Sequence, residues 1–198
     1  MAEEQSAKKG WVATGEPIIT NAVQKAIEKF GSKITPYPNP AKEATIKVEK
    51  EDLYEILDFL KKEIGFDYLS DIASAHFPQN EKHLSLAYHL FSIEKKDSLR
   101  VKVEFNEEES IPSVSSIWPA ANWMEREAYD LMGVKFGNHP NLKRILLPDD
   151  WEGYPLRKEY PLGGPQEEEI RSNRYGVPSL LPDDLETANK ILEEEKNE

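Results

Sequence analysis

A chain of 198 residues with a net charge of −12 and no cysteine is long enough to bury a real core as one domain with extensions, or at most two small domains. The acidic balance excludes nucleic acid, which needs a basic footprint, and disfavours adhesion to an anionic membrane surface. Without cysteine there is no disulfide, no thiolate nucleophile and no cysteine-ligated zinc or iron–sulfur cluster. The apolar runs extend over only a few residues, against the ~20 of a spanning helix, so no direct membrane span is expected. The polar start carries no signal-peptide pattern.

Residues 1–16 are polar and aperiodic and are expected to form a flexible N-terminal arm. Ile19, Val23, Ala26, Ile27 and Phe30 then recur at helical spacing up to a stop at Gly31. Residues 34–37 and 44–48 read as short strands on either side of Pro38-Asn39-Pro40. Glu51 and Asp52 suit a helix start, and Leu53, Ile56, Leu57, Leu60 and Ile64 form one apolar stripe ending at Gly65. Burying those five side chains contributes on the order of 7–15 kcal/mol as an upper bound, far above local propensity differences, so packing decides this helix.

A β block follows. Residues 66–73 read as one strand and 83–93 as a longer one with Leu84, Leu86, Tyr88 and Leu90 on one face. A polar connection at 94–97 leads to Leu99, Val101, Val103 and Phe105, which alternate with Arg100, Lys102 and Glu104. One face is therefore buried and one wet. The fold class this implies is α+β: a mixed, largely antiparallel sheet with helices on one face. Residues 107–116 read as an acidic loop, and 17–121 as the α+β domain.

The stretch 122–162 differs in character. A short helix over 122–132 is capped by a left-handed Gly133, a brief extended piece spans 134–136, and a turn occupies 137–140. Glu125 and Glu127 are placed toward the positive end of the helix dipole, and Arg126 and Asp130, four apart, are expected to pair. Leu142, Ile145, Leu146 and Leu147 offer a second apolar anchor before a Pro148-Asp149-Asp150 turn. Beyond it Arg157 and Lys158 lie among Trp151, Tyr154 and Tyr160. Residues 163–198 are expected to form an extended C-terminal tail with a short helix starting near Asp183.

Few of these groups point to chemistry on the chain itself. Glu125 and Glu127 are two carboxylates, but residues two apart on a helix point to different sides, so dipole and ion-pair duty is the plainer account. His139 before Pro140 reads as a structural group in a turn. His76, His83, His89 and His139 contain no one-turn pair, and His83 and His89 on one strand are too far apart to chelate one ion. Asp149 and Asp150 suit a turn better than a cation site. No Gly-x-Gly-x-x-Gly or phosphate loop is present. Arg144, Arg157 and Lys158 among the aromatics fit two readings, internal bracing of the segment or docking onto another polypeptide.

EREAYDLMG, followed by NHP, RILLPDDWEGYPLRK and EYPL, resembles the signature of the 30 kDa-type (C-type) subunit of NADH–quinone oxidoreductase in the respiratory complex I family. Glu159 departs from the Asp expected there but keeps the charge. The resemblance implies a non-catalytic structural subunit of the peripheral arm of a proton-translocating enzyme, on the cytoplasmic face of the cell inner membrane. It would dock onto the large quinone-site (D-type) subunit, with the iron–sulfur subunits nearby, and support electron transfer to quinone. No cofactor or metal is expected on this chain; FMN, iron–sulfur clusters and quinone belong to partner subunits. Glu125, Arg126, Glu127, Asp130, His139, Arg144, Asp149, Trp151, Arg157, Lys158 and Tyr160 are the expected docking or structural residues. Two alternatives remain: the equivalent subunit of a related membrane-bound hydrogenase or of an oxidoreductase using ferredoxin or another donor, and a stand-alone hydrolase using Glu125, Glu127 or His139.

Overall fold

The computed structural model describes residues 16–160; the expected arm (its last residue apart) and the tail lie outside them. Helix α1 (Asn21–Phe30) passes through a tight 3₁₀ turn into strand β1 (Ile34–Pro36). Strand β2 (Thr45–Val48), helix α2 (Lys50–Phe59), and strands β3 (Tyr68–His76), β4 (Leu84–Ser92) and β5 (Asp97–Phe105) follow. Strand β6 (Ser110–Pro112), helix α3 (Ala121–Met132) and strand β7 (Lys135–Gly137) complete the regular elements.

Capping chemistry sets the helix ends. The Thr20 hydroxyl accepts the Val23 N–H, so α1 begins after it and Ile19 is left exposed in place of opening the apolar face. Helix α2 runs on through a wide turn at Leu60–Ile64 to Gly65, whose φ of +90° ends it. The whole stripe Leu53, Ile56, Leu57, Leu60 and Ile64 is buried.

Five strands form one sheet in the order β1-β2-β5-β4-β3. Only β2 and β5 pair in parallel; the other three pairings are antiparallel. The β4–β5 register runs without a slip from Leu84↔Phe105 to Ser92↔Asp97, because alternation fixes which residues must face the core. Leu84, Leu86, Tyr88 and Leu90 pack there beside Leu99, Val101, Val103 and Phe105. On the outer face Glu104 takes ion pairs from Lys47 at 2.6 Å and Lys102 at 2.7 Å. The third strand starts at Tyr68, two residues later than its apolar pattern implies, since Phe66 instead plugs the core.

The expected acidic loop at 107–116 contains β6, which pairs in parallel with β7. Three residues cannot declare themselves as a strand; their partner lies on the far side of α3. Ala121, Ala128, Met132, Val134 and Phe136 join the same core as the sheet, and residues 16–160 belong to one compact unit.

One core group is poorly served. The Tyr88 hydroxyl is buried with no hydrogen-bond partner among the described residues. An unsatisfied buried polar group costs ~1–3 kcal/mol. Tyr88→Phe is therefore expected to stabilise the protein by about 1 kcal/mol in urea denaturation; a clear loss of stability would show that the hydroxyl has a partner.

Candidate functional site

Helix α3 is the spine of the unusual segment, and its buried face carries two carboxylates. Asp130 is fully buried. Its Oδ1 accepts Arg144 Nη1 at 2.7 Å, and its Oδ2 accepts the backbone N–H groups of Ile145, Leu146 and Leu147 at 2.9, 2.8 and 2.9 Å. Burial alone would raise the Asp130 pKa, but the Leu147, Arg144, Ile145 and Leu146 hydrogen bonds outweigh it and hold the group below its ordinary value. The stability this confers is present above the unfolded-state pKa and is lost as pH falls through the folded one.

The expected Arg126–Asp130 pair does not form. Asp130 faces inward to Arg144, while Arg126 donates from Nε to Lys143 O at 3.0 Å and from Nη2 to Arg144 O at 2.9 Å. Its guanidinium also lies 5.3 Å from the Trp123 ring centroid. Arg144 continues the network, donating to Asp130 O, Trp151 O and Gly153 O. A continuous brace therefore ties 143–153 to the helix.

Glu125 is buried as well, which replaces the expected dipole duty with a tether. Its carboxylate accepts the Val114 N–H at 2.7 Å and the Ser113 hydroxyl at 2.6 Å, joining α3 to the loop after β6. Burial pushes its pKa up to about 7, against the downward pull of the Ser113 and Val114 hydrogen bonds. His139 Nε2 stands 3.7 Å from Glu125 Oε2 and 3.1 Å from Asn122 O, and His139 Nδ1 accepts the Asn141 N–H. Nε2 therefore carries the ring proton and donates it to Asn122 O. Glu127 lies on the exposed side of the helix, so Glu125 and Glu127 do not converge as an acid–base pair.

The last part of the segment returns to the sheet. Arg157 donates from Nε to Met132 O at 2.9 Å and from Nη1 to Glu107. The Tyr154 ring lies against two guanidiniums, 5.6 Å from Arg144 and 4.8 Å from Arg157. The same ring fills the space over Gly133, where an added Cβ would lie 2.5 Å from Tyr154 Cε2, and φ there is +74°. Tyr160 donates to Glu152 O, and Lys158 gives its backbone N–H to His76 Nδ1 at 3.1 Å. The Trp151 indole N–H is buried without a partner among the described residues.

Of the expected docking residues, Glu125, Arg126, Asp130, His139, Arg144, Arg157 and Tyr160 make internal contacts through their side chains, while Glu127, Asp149 and Lys158 present theirs to solvent. Sequence reasoning passed over Trp123 and Leu156 and counted Leu146 in an apolar anchor, whereas all three are held outward. Trp123 is 62% exposed, Leu146 62% and Leu156 53%. It also passed over a convergence at the ends of β3 and β5: His76, Glu107 and Glu159 bring ligand-type atoms within 4.8 Å of one another, from positions far apart in the chain.

Residues 46–166 match the family described as respiratory-chain NADH dehydrogenase, 30 Kd subunit. The chain belongs to this family. The NADH-quinone oxidoreductase C-type subunit of Geotalea uraniireducens (strain Rf4) is 45% identical over 148 residues, 74% of this chain and 90% of that protein. Its namesake in Geobacter metallireducens (strain ATCC 53774 / DSM 7210 / GS-15) is 46% identical over 149 residues, 74% and 92% of the respective chains. Among solved structures, a chain of the membrane-bound sulfane sulfur reductase, an archaeal respiratory membrane complex, superposes with a TM-score of 0.64 at 23% identity. It covers 82% of this chain and 94% of that one, a likeness of fold alone. The trypsin-resistant fragment (1-134) of Nqo5 gives a TM-score of 0.53 at 28% identity, covering 61% and 96%. In this 30 kDa-type subunit the segment 122–160 is a self-braced platform, and no described helix is long and apolar enough to cross a membrane.

The buried Glu125 makes a pH test available. Between its ordinary value of 4.5 and about 7 the folded chain holds a proton that the unfolded chain has lost, so stability falls as pH rises through that window and levels off above it. The shift corresponds to about 3 kcal/mol. Thermal melts should fall from pH 5 to pH 8 in the wild-type chain and flatten over that range in Glu125→Gln; parallel slopes in the two proteins would contradict the assignment.

Proposed function

We propose that this chain is a cofactor-free structural subunit of the peripheral arm of a proton-translocating NADH–quinone oxidoreductase, on the cytoplasmic side of the membrane. In this reading it docks onto the large quinone-site subunit near the iron–sulfur subunits, and its rigidity keeps that assembly in register for electron transfer to quinone. A group that only fixes geometry around a reaction site can be indispensable without touching substrate.

The observation that carries this reading is the division of labour in 122–160. The guanidiniums of Arg126, Arg144 and Arg157 are bound to the chain's own backbone and carboxylates, while Trp123, Leu146 and Leu156 stand exposed. Large apolar side chains held outward by a rigid, irregular frame are what an interface core requires. The network removes the entropy cost of ordering them on binding. The choice of quinone as acceptor rests on the relatives named as NADH-quinone oxidoreductase subunits. The likeness to the sulfane sulfur reductase chain supports a shared fold and leaves the hydrogenase-type alternative without a favouring observation of its own. Nor is a hydrolase favoured, since the Glu125 and His139 side chains, 3.7 Å apart, are both closed off from solvent and Glu127 lies away from them.

Affinity purification of the full chain from gently solubilised membranes tests the proposal. The large quinone-site subunit should co-purify with the wild-type chain. Trp123→Ala combined with Leu146→Ala should cut that recovery about tenfold or more while the variant's own melting temperature stays close to wild type. A wild-type chain recovered alone, or undiminished recovery with the double variant, would count against it.

A further inference from the structure

Three strand ends place a set of nitrogen and oxygen donors together where β3 and β5 stop and β4 begins. His76 closes β3, His83 precedes β4, and Glu107 follows β5. Phe77 N–H bonds to His83 O and Leu84 is registered with Phe105, so hairpin pairing fixes this juxtaposition. The His76 and His83 rings meet edge-on with centroids 6.5 Å apart. Glu107 Oε1 lies between them, 4.0 Å from His76 Nε2 and 3.9 Å from His83 Nδ1. The fourth group, Glu159, arrives from the segment after α3 and sets Oε2 3.1 Å from His76 Nδ1.

The His76 side chain is 2% exposed, yet among the described residues its Nε2 makes no hydrogen bond. Because Nδ1 accepts the Lys158 N–H, Nε2 carries the ring proton in this geometry and faces Glu107 Oε1 beyond hydrogen-bond reach, with the His83 ring on the other side of that carboxylate. We propose that His76 Nε2, His83 Nδ1 and Glu107 Oε1 bind a divalent transition-metal ion of the zinc class, with Glu159 orienting His76.

The distances suit that chemistry. Two donors on one such ion, each bonded at ~2.0–2.2 Å, stand a little over 3 Å apart. The Glu107 separations of 4.0 and 3.9 Å close to that value by rotation of Glu107, and the two imidazoles, 6.5 Å apart between ring centroids, by rotation of His83; both side chains are partly exposed. With Nε2 on the metal, the ring proton belongs on Nδ1, and Glu159 Oε2 is placed to accept it in the carboxylate–histidine–metal arrangement. The Lys158 N–H, which Nδ1 accepts in the metal-free geometry, is then released. Arg157 donates to Glu107 Oε2 and lies 3.8 Å from Glu159 Oε1, leaving Glu107 Oε1 for the ion. Two carboxylates and one guanidinium sum to a single negative charge, which a dication turns into a single positive one within a strongly acidic chain. Mixed imidazole and carboxylate donors favour zinc, nickel or copper over calcium or magnesium. The ion would clip the turn end of the β3–β4 hairpin to the segment that follows α3.

Calorimetric titration of the untagged full chain with zinc chloride near neutral pH should give saturable one-site binding at micromolar or lower concentration. His83→Asn and Glu107→Gln, both at partly exposed positions, should each weaken it by about tenfold or more. In nitrogen-15 spectra the Lys158 amide should shift on zinc addition in the wild-type chain, a change that binding by surface carboxylates elsewhere would not cause. No saturable binding, or unchanged affinity in both variants, would overturn the proposal.

Discussion

Asp130 is the point on which the irregular last stretch of the described chain depends. A carboxylate with no exposure to solvent must have its lone pairs satisfied, or its burial is prohibitive. Four donors satisfy it, and three of them are consecutive backbone N–H groups from Ile145 to Leu147. That geometry exists only if the chain after the His139 turn lies back across α3. Arg144 fixes the same fold-back from the other side, since its guanidinium reaches Asp130, Trp151 O and Gly153 O together. A planar group with five donors can do this, whereas a lysine cannot.

Around that hub the remaining contacts are steric as much as electrostatic. Gly133 ends α3 in a left-handed conformation and leaves room for Tyr154, while Gly153, also at positive φ, leaves room for Tyr160. The Tyr154 ring then lies against both Arg144 and Arg157. Arg157 carries the brace onward to Glu107 after β5. The result is a surface whose irregular backbone is tied at several points to α3 and to Glu107 after β5. This is how a chain without helices or strands over 138–160 can present Leu146 and Leu156 at fixed positions beside Trp123.

Much of this was legible in the residues, for physical reasons that differ by element. Alternation in 84–105 demanded one buried face, and the sheet obeys it residue by residue. Leu53 to Ile64 declared a helix face, and Gly133 declared a stop. The parallel pairing of β6 with β7 was not legible, since a three-residue strand is defined by its partner. Nor was the choice made by Asp130. Helical spacing offers Arg126, but side-chain direction and burial select Arg144, and sequence distance says nothing about that. The same limit hid Glu125, whose buried tether to Ser113 and Val114 depends on where the loop after β6 runs. The family signature marks 122–162 as one unit, but Arg126, Arg144 and Arg157 prove to be frame, and composition gives no sign of which apolar groups the frame holds outward.

Amide hydrogen exchange on Asp130→Ala tests the central claim most directly. Loss of the carboxylate should strip protection from the Ile145, Leu146 and Leu147 amides and loosen the stretch through Arg157, while β4 and β5 keep their slow exchange. Unchanged protection at those three amides, or a uniform loss across sheet and segment alike, would contradict the view that one buried carboxylate holds the platform in place.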